Sequence, residues 1–212
     1  MTPTWDILIC TIERRTDKLV TLLDALAPQI VPGVGVRIFR DNLEHGYSEA
    51  CNALVASSEA EYVCFIDDDD MIAPNYVDKI VEALESRPDM VGFEERYTED
   101  GVLQVPVYRD LRCGGWRNEP DALYRDLSQG NPTRREHAAR VRFGTVNGEE
   151  YGADQRWVND LRDLGVVKTQ VYIPEQLYYY QHSSAEGCLT ETTRTPMPEH
   201  PPRPEYPFVT YI

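Results

Sequence analysis

The chain has 212 residues, enough for one sizeable domain with an appendage, and its 42% apolar and 27% charged residues are typical of a protein that buries a core. Collagen-like and disordered classes are excluded. Against 21 basic residues stand 36 acidic ones, and the resulting net charge of −15 repels polyanions, which removes the electrostatic footprint of a general nucleic-acid binder. The first predicted element is a buried strand at residues 5–11, a short apolar run ending in polar side chains. Thr16 then caps a helix whose apolar face is Leu19, Leu22, Leu23 and Leu26, and Pro28 stops it. Residues 33–39 give a second strand, ending at Arg40, Asp41 and Asn42, and a second helix is predicted at about 48–57 with Ala50, Cys51, Ala53 and Leu54 inward. Residues 62–66 form a third buried strand that runs straight into four consecutive aspartates, 67–70. After Pro74 a third amphipathic helix carries Tyr76, Val77, Ile80, Val81 and Leu84 on one side, and Pro88 closes it.

Strand and helix thus alternate three times in the first ninety residues, the pattern of a parallel, Rossmann-like sheet with right-handed crossovers. Such open sheets bind ligands beyond the carboxyl ends of their strands, where Thr11, Glu13, Arg14, Asp41 and the aspartate run all fall. From residue 89 the pattern loosens into β-like pieces at 90–93 and 102–108, a turn at Gly114, Gly115 and Trp116, and a predicted helix near 119–128. Residues 107–142 hold eight arginines against five acids, which favours an anionic ligand along this stretch. A helix follows at 153–164, with Trp157, Val158, Leu161 and Leu164 inward and Gly165 as its stop, then two strands at about 166–173 and 176–181. Residues 195–212 contain six prolines and are expected to form an extended tail, packed on the body or reaching a neighbour in an oligomer.

No apolar run approaches the roughly 18 residues of a membrane-spanning helix. Asp6, Glu13, Asp17 and Asp24 interrupt the first thirty residues, unlike a secretory signal, so a cytoplasmic location is expected. The five cysteines are odd in number and lack C-x-x-C spacing, which favours reduced core thiols over disulfides or a zinc site.

Four acids at the end of a buried strand are costly unless a cation neutralises them, so a divalent metal is implied. In an extended chain Asp67 and Asp69 would point one way and Asp68 and Asp70 the other, so that at most two share one ion. An EF-hand is excluded, because the spaced acids, central glycine and closing glutamate of that loop are missing.

Residues 65–74, Phe-Ile-Asp-Asp-Asp-Asp-Met-Ile-Ala-Pro, resemble the strand, D-x-D-D and following proline of the family 2 glycosyltransferases, enzymes of GT-A fold. The resemblance extends back to residues 10–14 and Asp41, and forward to Gly152-Ala-Asp154 and to the aromatic strand Tyr178-Tyr-Tyr-Gln-His182, so it covers about residues 4–186. It implies a mostly parallel mixed α/β sheet flanked by helices in one domain over 1–194, with a nucleotide-sugar half (1–93), an acceptor half (94–194) and the tail beyond. It also implies an inverting transfer of a hexose from a UDP-sugar to an acceptor hydroxyl. Thr11, Glu13, Arg14, Asp41, Asp67 and Asp68 would bind the donor, Asp69 and His182 would hold Mn²⁺ or Mg²⁺, and Asp154 would be the base. Two departures from the family pattern are a shortened stretch after Asp41, without the usual basic residue, and alanine at 153 in place of glutamate.

Arg134 and Arg135 are candidates to grip a diphosphate or an anionic acceptor bidentately. Trp116 is a candidate stacking platform, and Glu95, beside Glu94 at the end of the fourth strand, a candidate partner for the acceptor. Free glycan, lipid-linked glycan, protein side chain and a modified DNA base all stay open as acceptors. Two other readings are a non-catalytic nucleotide-sugar-binding module of the same fold and a nucleotidyltransferase, the latter disfavoured by the lack of an N-terminal glycine-rich triphosphate loop.

Overall fold

A computed structural model describes residues 3–183 and 200–212. Strands β1 (Trp5–Ile12), β2 (Val34–Asp41) and β3 (Tyr62–Phe65) are parallel neighbours, joined by helices α1 (Thr16–Leu26) and α2 (Tyr47–Ser57). Along β1 the side chains alternate between two cores: Trp5, Ile7 and Ile9 face α1 and α3 (Tyr76–Leu84), while Leu8 and Cys10 face α2 and α5 (Ala153–Leu164). Burial on both faces explains why these strands read as continuous apolar runs. The inward residues predicted for α1 are fully buried, and the helix ends at Leu26, ahead of Pro28, in a 3-10 turn. Thr16 is its first residue, not its cap, and donates its hydroxyl to the Glu13 carbonyl at 2.7 Å.

After β3 come β4 (Met71–Ile72) and the long β5 (Met90–Glu99), which takes β6 (Val102–Leu103) and β7 (Val107–Arg109) as antiparallel partners. The helix predicted near 119–128 is absent. There β8 (Arg117–Asn118) and β9 (Leu123–Arg125) extend the sheet from β7, and the Tyr124 ring stacks on Tyr108 at 5.6 Å. The i, i+4 spacing of Leu123 and Leu127 imitates a helix, but strand pairing satisfies the backbone here and buried Asp126 is pinned to Arg162 of α5 at 2.5 Å.

Two short elements, β10 (Thr133–Arg134) and α4 (Arg135–Ala138), close the gap between β3 and β5, β10 running antiparallel to both. The two strands expected at 166–181 are one, β11 (Gln170–His182), parallel to β5 and antiparallel to β4. Its register shifts between Ile173 and Gln176 absorb Pro174, which has no N–H to give the ladder. The described part of the tail packs on its own body: β12 (Val209–Tyr211) adds to β2 as an edge strand, and Tyr206 donates to Asp24 at 2.6 Å. The sheet order is β12-β2-β1-β3-β10-β5-β7-β9-β8. Cys10, Cys51, Cys64 and Cys113 are free thiols, and the fifth cysteine, Cys188, lies outside the described residues. Among the described residues no helix is long and apolar enough to cross a membrane.

Asp89, at the start of β5, ties the lower end of this sheet together. It accepts from the backbone N–H groups of Lys168 and Thr169, both at 2.9 Å, and pairs with Arg134 and His137. Burial alone would raise its carboxyl, but these donors pull it down to about 2 from an ordinary 3.8. A depressed folded value stabilises the protein above the unfolded value and is lost as pH falls through the folded one. Asp89→Asn is therefore expected to cost about 1–2 kcal/mol at pH 5–7, allowing for partial exposure. The difference in urea midpoint from wild type should shrink to about half near pH 3. A gap constant from pH 7 to 3 would remove this account.

Candidate active site

A cavity of about 990 Å³ opens beyond the carboxyl ends of β1, β2 and β3. It is lined by Thr11, Asp41, the four aspartates 67–70, Asp154 and His182, so seven of the thirteen site residues taken from the sequence (these apart from Asp70) converge there. The aspartates do not alternate as an extended strand would. The strand ends at Phe65, and the Asp70 N–H donates to the Asp67 carbonyl at 3.1 Å, closing a turn. Asp68 is buried and spends both oxygens inside the protein, accepting from the Thr11 hydroxyl at 2.5 Å and pairing with Arg15 at 2.7 Å. Asp69 pairs with Arg15 as well, and with Lys18 at 3.5 Å. Asp70 turns away from Arg15 to accept from the Tyr178 hydroxyl at 2.6 Å and the Gln181 N–H at 2.8 Å.

That leaves the carboxylate of Asp67 without a side-chain hydrogen bond among the described residues, although its own N–H donates to the Tyr178 oxygen at 3.2 Å. Burial, then the charges of Asp69, Asp68 and Asp154, push Asp67 up to about 7, with Arg15 opposing. Burial likewise lifts Asp68 to about 6 against Arg15 and Thr11, and burial with the charge of Asp67 raises Asp70. Two cations thus face five carboxylates at the cavity floor. Carboxylate oxygens and an imidazole are donors suited to a hard or borderline divalent ion, and a cation here would lower the raised carboxyls, so the residues fit a metal in kind. The ligand atoms of Asp67, Asp69 and His182 are not gathered within 4.8 Å of one another; among the described residues only Asp41, Glu44 and His45 are. That second group is a local turn: Asp41 accepts from the N–H groups of Glu44 and His45 and from the His45 ring.

Helix α5 delivers Asp154 in its first turn. Gly152 precedes it at φ 82°, a left-handed backbone that favours glycine. The loop is fixed from the other side by Glu150, which accepts from the Ser48 N–H at 3.0 Å and the Ser48 hydroxyl at 2.5 Å and so caps α2. His182 arrives at the end of β11, where the strand pairs beside β4 and Tyr180 stacks on Tyr97 at 5.3 Å.

The other six candidates lie elsewhere. Arg134 and Arg135 sit at the opposite end of β3, where Arg134 bonds the Arg87 carbonyl and lies over the Tyr62 ring, and Arg135 donates to the Ala60 carbonyl. Glu95 is buried in an ion pair with Arg109. Trp116 donates its indole N–H to the Leu127 carbonyl and is covered by Arg125. Glu13 pairs with His200 of the tail, and Arg14 does not line the cavity. The arginine-rich stretch pairs internally, Arg112 with Asp110 and Arg117 with Glu119, and none of its arginines reaches the cavity. Arg15 and Lys18 were the residues missed. Their signal was helical spacing: Lys18 follows Arg15 by three residues, so both face the turn from the start of α1.

The model of the family described as Glycosyl transferase family 2 matches residues 3–140. The chain belongs to that family. Among curated proteins no match is found. Solved structures with the same fold include Staphylococcus aureus TarS 1–349, at 17% identity and a TM-score of 0.61 over 84% of this chain and 60% of that one. TarS 1–349 in complex with UDP-GlcNAc matches at 14% identity and a TM-score of 0.61, over 86% and 60%. Glucosyl-3-phosphoglycerate synthase from Mycobacterium tuberculosis, in complex with Mn²⁺, UDP and glucosyl-3-phosphoglycerate, matches at 14% identity and a TM-score of 0.52, over 84% and 72%. These likenesses establish a GT-A fold for this family 2 chain, which spans 60% of the length of TarS 1–349.

Proposed function

We propose that this family 2 protein is an inverting glycosyltransferase that moves a hexose from a UDP-sugar to an acceptor hydroxyl, with Asp154 as base. The observation that carries the reading is the convergence of the acidic turn, Asp41 and Asp154 on one cavity of about 990 Å³, a volume suited to a ligand of nucleotide-sugar size. The UDP and UDP-GlcNAc complexes of TarS support the donor class. Asp69 and His182 would hold a divalent cation, with Asp67 lining the same cavity. Such a cation, Mn²⁺ or Mg²⁺, supplies electrophilic stabilisation to a departing diphosphate. Arg15 and Lys18 add fixed positive charge where the diphosphate's charge grows.

On the acceptor side the chain's own groups do the work. The acceptor oxygen forms its bond to the anomeric carbon as the bond from that carbon to the diphosphate oxygen breaks, and the acceptor's proton passes to the Asp154 carboxylate. A single displacement from the opposite face inverts the anomeric centre. Calorimetric titration of UDP tests the donor half: excess EDTA in place of Mn²⁺ and the Asp69→Asn substitution are each expected to weaken binding at least about tenfold. Equal affinity in all three conditions would overturn the metal-supported donor site. UDP binding without UDP release from any sugar nucleotide would point instead to a binding module.

A further inference from the structure

We infer that the acceptor is an uncharged pyranoside, a free sugar or the terminal residue of a neutral glycan, seated on the ring of Tyr151 beside Asp154. The inference rests on the glycosyltransferase reading above and names its acceptor class. Tyr151 lines the mouth of the cavity yet is 81% exposed, the most exposed large apolar side chain among the described residues. It lies between Glu150, which is anchored to α2, and Gly152, which starts the helix carrying Asp154. The backbone at Tyr151 is thereby fixed three residues before the proposed base, and no ring or cation contact with another described residue covers its ring. An aromatic side chain with one apolar face and a polar tip, left open at a wet cleft, suits a ligand that offers both a hydrocarbon face and hydroxyls. A pyranose offers both. Thr98, near the end of β5, and Asp100, in the turn that follows it, line the same cavity and bring polar oxygen atoms to its rim.

Charge decides against an anionic acceptor. Among the described residues eight acids line the cavity against one arginine and one lysine, Arg15 and Lys18, both committed to the aspartate turn on the donor side, and two histidines, of which His45 is paired with Asp41 and His182 is assigned above to the cation. A donor diphosphate already needs those cations and a metal. Around Tyr151 and Asp154 the nearest ionisable lining residues in sequence are Glu150 and Asp154 themselves, so a phosphorylated or carboxylated acceptor would meet like charge, with no further lysine or arginine among the described lining residues to receive it. This sets the chain apart from glucosyl-3-phosphoglycerate synthase, whose complex holds a phosphorylated product.

Saturation-transfer NMR on the protein with UDP and Mn²⁺ tests this with matched probes: neutral methyl pyranosides (gluco, galacto, manno and 2-acetamidogluco) and the corresponding methyl uronides. At least one neutral glycoside is expected to receive saturation and every uronide to be at least about fivefold weaker. Tyr151→Ala is expected to weaken the neutral ligand about three- to tenfold, while Tyr151→Phe keeps it. The inference is overturned if uronides bind as well as their neutral partners, if no neutral glycoside binds, or if Tyr151→Ala binds like wild type. A hydroxymethylcytosine-containing DNA duplex or a serine-rich peptide that binds in place of the glycosides would overturn it too. Calorimetry of UDP on the same sample reports the donor side separately: UDP bound with no glycoside bound refutes this inference alone, whereas UDP unbound refutes the underlying reading.

Discussion

Replacing Asp154 with asparagine is expected to lower the turnover number by about 10²–10⁴-fold, the range of a lost general base, while metal-supported UDP binding persists. Asparagine keeps the shape of the side chain and the first turn of α5 but cannot take a proton at neutral pH. The two readouts separate because Asp154 also acts on the acidic turn, where its charge is one of those that hold Asp67 up to about 7. A carboxyl raised in this way must shed its proton to meet a cation, so apparent Mn²⁺ affinity in the wild type should climb as pH rises toward 7 and level off above it. Neutralising Asp154 removes one like charge, and the midpoint of that climb should move to lower pH. Single-turnover rates and Mn²⁺ titrations from pH 5.5 to 8.5 measure both effects. Turnover within threefold of wild type would sink the assignment of Asp154 as base; an unmoved midpoint would sink the coupling.

Periodicity was the reliable guide to the scaffold. The leucines of α1 and the apolar runs of β1 and β3 are dictated by burial, which leaves a regular trace in one dimension. The start of α5 was legible in the same way and places Asp154, whose expected role as base came from the family resemblance alone. Failures came where pairing is non-local. Leu123 and Leu127 carry a helical spacing, yet β9 forms because β7 is there to receive it, and no local rule reports that. Arg134 and Arg135 precede the base in sequence and seemed placed to reach the phosphates; the antiparallel pairing of β10 with Tyr62 and Val63 carries them to the far end of β3 instead. Glu95 was expected at the end of a short strand, but β5 runs on to Glu99 and its partner Arg109 is on another strand. The acidic quartet was recognisable by composition, whereas its division of labour was not. Whether an aspartate faces Arg15, Tyr178 or the open cavity depends on a turn closed by one backbone hydrogen bond.

Beneath the acidic turn lies the pair whose loss should cost the fold most. The Arg109 and Glu95 side chains are 10% and 6% exposed, and the guanidinium sits 4.6 Å from the centre of the Tyr178 ring and 5.5 Å from that of Phe93. Arg109→Met would leave the Glu95 carboxylate buried with no countercharge, a change that costs about 3–5 kcal/mol. For a chain of this size that corresponds to a melting temperature lowered by roughly 6–20 °C. Removing both charges together, as Glu95→Leu with Arg109→Met, should recover most of that loss, because neither partner is then stranded. The double variant also isolates what the pair does for the site. Tyr178 bonds both the Asp70 carboxylate and the Asp67 N–H, so a ring no longer held by the guanidinium loosens the turn from which Asp67 and Asp69 project. The expected outcome is a double variant of near-normal stability whose Mn²⁺-dependent UDP affinity still falls severalfold. A single variant that melts within about 2 °C of wild type would show that Glu95 finds water or takes up a proton instead.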